Sequence, residues 1–74
     1  MTMKLLKELL DVEQYRLVSL LADGFKNNEI AELVGTTEFT VKNKLRVVYD
    51  IAGCFNRVEL ALRFVSQEGI EKCQ

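Results

Sequence analysis

Lys42, Lys44, Arg46 and Arg57 stand within one short span of the chain, and Asp50 is its only acid, which gives residues 42–57 a local charge of +3. Residues 1–41 hold four bases and seven acids, and residues 58–74 hold two bases and three acids. The net charge of −1 therefore hides one compact basic segment. Donors of this kind, with Asn43 among them, suit phosphate oxygens and the edges of bases. A solvated helix face would have the same composition, so charge alone leaves both readings open. Little else in the chain could do chemistry. Histidine is absent, which excludes a histidine-based triad, a histidine general base and a histidine metal site. Cys54 and Cys73 lack a CxxC partner and read as buried or incidental thiols rather than a disulfide or zinc pair. No glycine-rich loop cradles phosphate, and Glu29 and Glu32 read as the wet side of a helix. The expectation is no catalytic residue, no metal and no cofactor.

These residues must be positioned by a small scaffold. Seventy-four residues at 8.5 kDa allow one domain, 1–74, with marginal stability. Apolar residues make up 49% and charged residues 28%, a globular composition. Proline is absent and glycine occurs four times, which favours helices over a turn-rich sandwich. No apolar run is long enough to span a bilayer. The start, with Lys4, Lys7 and Glu8, does not resemble a secretory leader. A cytoplasmic protein with no membrane partner is expected.

Four helices can be read from spacing and caps, after an amphipathic N-terminal arm over 1–10. The first spans about 12–22. Asp11 and Gln14 suit a capping box, and Leu10 with Tyr15 suits a hydrophobic staple. Leu17, Val18, Leu20 and Leu21 form its apolar stripe, and Gly24 stops it. The second spans 27–34, capped by Asn27, with Ile30, Ala31, Leu33 and Val34 pointing inward and Gly35 at its end. The third spans 38–52, capped by Thr37. Its residues Val41, Leu45, Val48 and Ala52 fall on one side, and Gly53 terminates it. The fourth spans 57–67, with Asn56 and Glu59 as a second capping box. Leu60, Ala61, Phe64 and Val65 form its inner side, and Gly69-Ile70 forms its C-terminal signal.

The second and third helices are joined by Gly35-Thr36-Thr37 alone. Two short helices joined by three residues with a glycine make a helix-turn-helix pattern. In that arrangement the later helix enters the DNA major groove. The polar side of 38–52 is the basic segment, so periodicity and charge agree.

Three blocks now carry a resemblance. Leu20-Leu21-Ala22-Asp23-Gly24-Phe25-Lys26-Asn27-Asn28-Glu29-Ile30-Ala31 resembles the start of the second helix in the LuxR/GerE family. Thr37-Glu38-Phe39-Thr40-Val41-Lys42 is similar to the family's Ser-Glu-x-Thr-Val-Lys. Asn56-Arg57-Val58-Glu59-Leu60-Ala61 is similar to its Asn-Arg-x-Glu-Leu-Ala. The blocks keep their spacing without a gap and cover residues 9 to about 70. The resemblance implies an all-α, four-helix LuxR/GerE-type helix-turn-helix domain, here a stand-alone one. It implies a transcription regulator that binds double-stranded DNA, often as a homodimer through the last helix, here through Leu62 and Val65. Carried over by position, it puts Lys42, Asn43 and Arg46 against bases. It puts Asn27, Asn28, Thr40 and Lys44 against phosphate. Arg57 matches a family arginine that ties the last helix to the rest first and meets phosphate second.

The departures have consequences. Lys26 replaces the usual cap serine, so Asn27 is expected to cap the second helix. Lys44 replaces a histidine and adds charge. Val34-Gly35-Thr36-Thr37 replaces Leu-x-Ile-Ser, and Ile51-Ala52-Gly53-Cys54 replaces Lys-Leu-Gly-Val. The core should therefore be short of a few methylenes. Phe25, Phe39, Ile51 and Phe55 could form an exposed patch. That patch, with a sequence pI near 5.4, supports a second reading. On it the chain binds another regulator or an RNA polymerase subunit, with DNA affinity weak or lost.

Overall fold

In the computed structural model, each helix begins where a short side chain or a carboxylate satisfies free backbone N–H groups. The structure describes residues 5–72. Glu8 Oε1 accepts the Leu5 N–H at 3.2 Å and starts α1 (Leu6–Leu9). Asp11 Oδ1 accepts the Gln14 N–H at 2.8 Å, and Gln14 Oε1 accepts the Asp11 N–H at 3.1 Å. This reciprocal pair heads α2 (Val12–Ala22) as the sequence suggests. At α3 (Asn27–Val34) the cap is Lys26, not Asn27. Glu29 Oε1 accepts the Lys26 N–H at 2.7 Å, so the carboxylate half of a capping box suffices and Asn27 becomes the first helical residue. Thr37 Oγ1 accepts the Thr40 N–H at 3.2 Å at the head of α4 (Glu38–Ala52). Asn56 Oδ1 accepts the Glu59 N–H at 2.8 Å before α5 (Arg57–Lys72). The return bond is shifted by one residue, because Glu59 Oε1 accepts from Phe55 N–H at 2.7 Å.

The fold is all-helical, with five helices and no strand among the described residues. Two expected boundaries change. Part of the N-terminal arm becomes α1, whose Leu6 is buried together with the following Leu10. The last helix runs on to Lys72, so Gly69 lies inside it and does not end it. Ending a helix needs a left-handed residue or a new partner for the last carbonyls, and the helix continues through this glycine.

The core is one cluster that draws on every helix. It includes Leu17, Val18 and Leu21 of α2, Ile30 and Ala31 of α3, and Leu60 of α5. Val41, Leu45, Val48 and Ala52 of α4 are all buried, as their spacing requires. The helix α2 packs against α3, α4 and α5. Its Tyr15 ring meets Phe64 of α5 at 5.2 Å between centroids, tilted by 54°. Leu6 N–H donates to Gln67 Oε1 at 2.8 Å and ties α1 to α5. Leu33 and Val65, expected to face inward, are exposed instead. Each stands at the margin of its apolar stripe, and among the described residues no further element covers that side. None of the described helices is long and apolar enough to cross a membrane.

The turn between α3 and α4 depends on Gly35, whose φ of +77° is left-handed. Its N–H and that of Thr36 both donate to the Ala31 carbonyl at 2.9 Å. Beside this turn lies a groove of about 460 Å³, lined in part by Leu17, Val34, Thr36 and Val41. This is where the turn residues are smaller than the resembled pattern. Two outcomes follow. Gly35→Ala should cost about 1–2 kcal/mol from the left-handed φ, lowering the melting temperature by ~4–8 °C per kcal/mol. Val34→Leu should extend one methylene into the groove and stabilise by up to ~0.8 kcal/mol. Thermal melts followed by circular dichroism check both.

Candidate nucleic-acid interface

Burial of Val41, Leu45, Val48 and Ala52 settles which side of α4 faces water. At 3.6 residues per turn, Phe39, Asn43, Arg46 and Asp50 fall within an arc of about 60° opposite that stripe. Lys42 flanks them on one side, and Val47 and Ile51 on the other. Lys42 and Arg46 are exposed, and Asn43 is half-buried. The three residues expected to read bases therefore share one outward surface of a helix about 22 Å long, by its fifteen residues.

The residues expected to grip phosphate are distributed differently. Asn28 is exposed in the first turn of α3. Thr40 sits in the first turn of α4, where its hydroxyl oxygen accepts from the Thr37 hydroxyl at 3.0 Å. Lys44 lies on the flank of α4 that faces α2, and its Nζ pairs with Glu13 Oε1 at 3.1 Å. Both partners are well exposed, so the pair is weak and Lys44 can exchange partners. Asn27 and Arg57 are turned to each other: Arg57 Nη1 donates to Asn27 Oδ1 at 2.9 Å. Arg57 Nη2 donates to the Phe25 carbonyl. This guanidinium cross-links the start of α5 to the segment that leads into α3.

The expected apolar patch divides. Phe25 is half-buried and packs against the core, because the chain folds back there after Gly24. Phe39 and Phe55 are 73% and 93% exposed. Ile51 is exposed too, but it lies twelve residues beyond Phe39, about 18 Å along the axis and a third of a turn round it. On α5, Leu62 and Val65 are 65% and 53% exposed, and Val58 stands one turn before them. These three form an outward stripe.

Several contacts had no signal in the sequence. Arg63 Nη1 of α5 donates to the Ala52 carbonyl. It brings positive charge to the C-terminal end of α4, where the helix dipole is negative. Glu13 as the partner of Lys44, and Gln67 as that of Leu6, lie 31 and 61 residues away in the chain. Nothing in local spacing encodes such pairs. Cys54 is buried and free. Burial pushes its thiol up, Arg63 pulls it down, and Glu59 pushes it up again. The Cys54 side chain packs within the core cluster. Cys73 lies outside the described residues. Among the described residues, no group of three His, Cys, Asp or Glu side chains could hold a metal ion.

No protein-family model, curated protein or solved structure matches this chain.

The arginine tie and the open surface of α4 respond differently to truncation. Arg57→Ala should destabilise by about 1.5–3 kcal/mol, the worth of hydrogen bonds from a charged donor. Arg57→Lys should recover only part of it, because one ammonium cannot reproduce the two-pronged contact. Lys42→Ala and Arg46→Ala should leave the unfolding midpoint within about 0.5 kcal/mol. Urea titration of the four variants checks the contrast.

Proposed function

We propose that this chain is a DNA-binding transcription regulator of the helix-turn-helix type, as its resemblance to the LuxR/GerE family implies. In this reading α3 crosses the sugar–phosphate backbone and α4 lies in the major groove. The observation that carries it is the outer surface of α4. That surface presents Lys42, Asn43 and Arg46 together, from a helix whose other side is fully committed to the core. Lysine and arginine donate to guanine O6 and N7, and asparagine pairs with adenine N6 and N7. Asn28, Thr40 and Lys44 position the helix on phosphates without reading sequence. Asn27 and Arg57 serve first as an internal tie, since Arg57 donates to Asn27 Oδ1 and to the Phe25 carbonyl. The stripe Val58–Leu62–Val65 on α5 supports a homodimer, which doubles the phosphate contacts and reads two half-sites. In this reading the role is non-catalytic and cytoplasmic.

A second reading has its own support. The exposed rings of Phe39 and Phe55 fit a domain that binds another regulator or an RNA polymerase subunit. Titration of a labelled pool of genomic duplexes at roughly 50 and 200 mM salt separates the two. Micromolar or tighter binding is expected, with log K falling against log salt by about 0.9 per neutralised phosphate. Lys42→Ala and Arg46→Ala should each relax discrimination by ~1–3 kcal/mol at one base pair. Lys44→Ala should weaken all sequences alike and flatten the slope by about one unit. Glu13→Gln should do the reverse. It releases Lys44 and should tighten binding roughly two- to fivefold, the worth of one surface ion pair. No binding at tens of micromolar by the folded protein would overturn the DNA reading and favour a protein partner.

A further inference from the structure

The outer arc of α4 carries two residues that the proposed contacts leave without a task, Phe39 and Asp50. Phe39 is the second residue of the helix and, among the described residues, stands 73% exposed. It shares its arc with Asn43 and Arg46. From Phe39 to Arg46 the helix rises about 10 Å, close to three base-pair steps. Asp50 lies on the same arc but about 16 Å beyond Phe39 along the axis. An acid there is repelled by phosphate, whereas in the N-terminal half Lys42, Lys44 and Arg46 outweigh the single acid Glu38, so that half is the one suited to a polyanionic groove.

The polar set on this half is incomplete as a reader of bases. Lys42 and Arg46 suit guanine, and Asn43 suits adenine. None of them detects the one apolar mark in the major groove, the 5-methyl group of thymine. Phenylalanine is among the side chains that make apolar contact with that methyl. We infer that Phe39 reads a thymine in the target site by packing its ring against the 5-methyl group. This rests on the DNA reading above and adds a specificity determinant that the polar residues cannot supply. Val47 is the alternative methyl reader, because it is half-exposed on the flank of the same surface.

The test works from the DNA side. Duplexes are selected from a random pool with the native protein, and each thymine of the selected site is replaced in turn by uracil, which lacks only the methyl. Affinities are read by fluorescence anisotropy for the native protein, Phe39→Ala, Phe39→Leu and Val47→Ala. The expected result is one position per half-site where uracil weakens native binding about fourfold, the worth of one buried methyl-sized group. Phe39→Ala should lose the distinction between thymine and uracil there, Phe39→Leu should keep part of it, and Val47→Ala should keep all of it. Indifference of the native protein to uracil at every position would overturn the inference while leaving DNA binding intact. So would loss of the distinction in Val47→Ala and its survival in Phe39→Ala. Failure to select any duplex would overturn the DNA reading itself. The uracil series on the native protein stays decisive even if a variant folds poorly.

Discussion

Val41, Leu45, Val48 and Ala52 are withdrawn from water along one side of α4, and that burial orients everything the helix shows to solvent. A helix has a single rotational setting once such a stripe is docked, because turning it would expose the valines and leucine and bury Lys42 or Arg46. Burying an unpaired charge costs far more than any surface contact returns. The orientation of the basic side chains is therefore decided by apolar residues that never touch a ligand. The helix α2 enforces the setting, since it packs on α3, α4 and α5 at once.

Local devices then fix where the helices begin and how they turn. Asp11, Glu29, Thr37 and Asn56 each accept a backbone N–H at or near a helix start. Gly35 and Gly53, at φ of +77° and +72°, let the chain leave α3 and α4 sharply. Two arginines complete the frame from α5. Arg57 holds the Phe25 carbonyl and Asn27, and Arg63 holds the last turn of α4. Both use guanidinium groups where a neutral donor would leave a half-buried carbonyl less well satisfied.

The parts legible in the sequence are those governed by short spacing. The α4 stripe, the Asp11–Gln14 box and the Thr37 cap all follow from residues within a few positions of each other. The positions of α2, α3 and α4 followed from the same signals. What was not legible depends on distant partners or on what happens to lie alongside. Leu33 and Val65 fit the apolar period of their helices, yet no neighbour covers them. Lys26 looked unable to cap a helix, but Glu29 supplies the acceptor and the identity of the cap residue ceases to matter. Gly69 carried a stop signal that α5 runs through. Phe25 read as a surface ring because its loop looked exposed, and the fold-back after Gly24 lays it on the core. The outward setting of Lys42, Asn43 and Arg46 was readable from the stripe. The engagement of Asn27 with Arg57, and of Lys44 with Glu13, was not, because each pair spans about thirty residues.

The bond from Leu6 N–H to Gln67 Oε1 joins groups 61 residues apart. It closes a loop around almost the whole fold, and the entropy of that closure grows only with the logarithm of its length. The four-residue α1 cannot hold its shape unaided. It docks through the buried Leu6 and Leu10 and this one polar bond. So short a helix, held by two buried leucines and one polar bond, should open more readily than the longer helices it docks on, with faster amide exchange. α1 also packs against α4, so the helix that bears the basic surface leans in part on this short element.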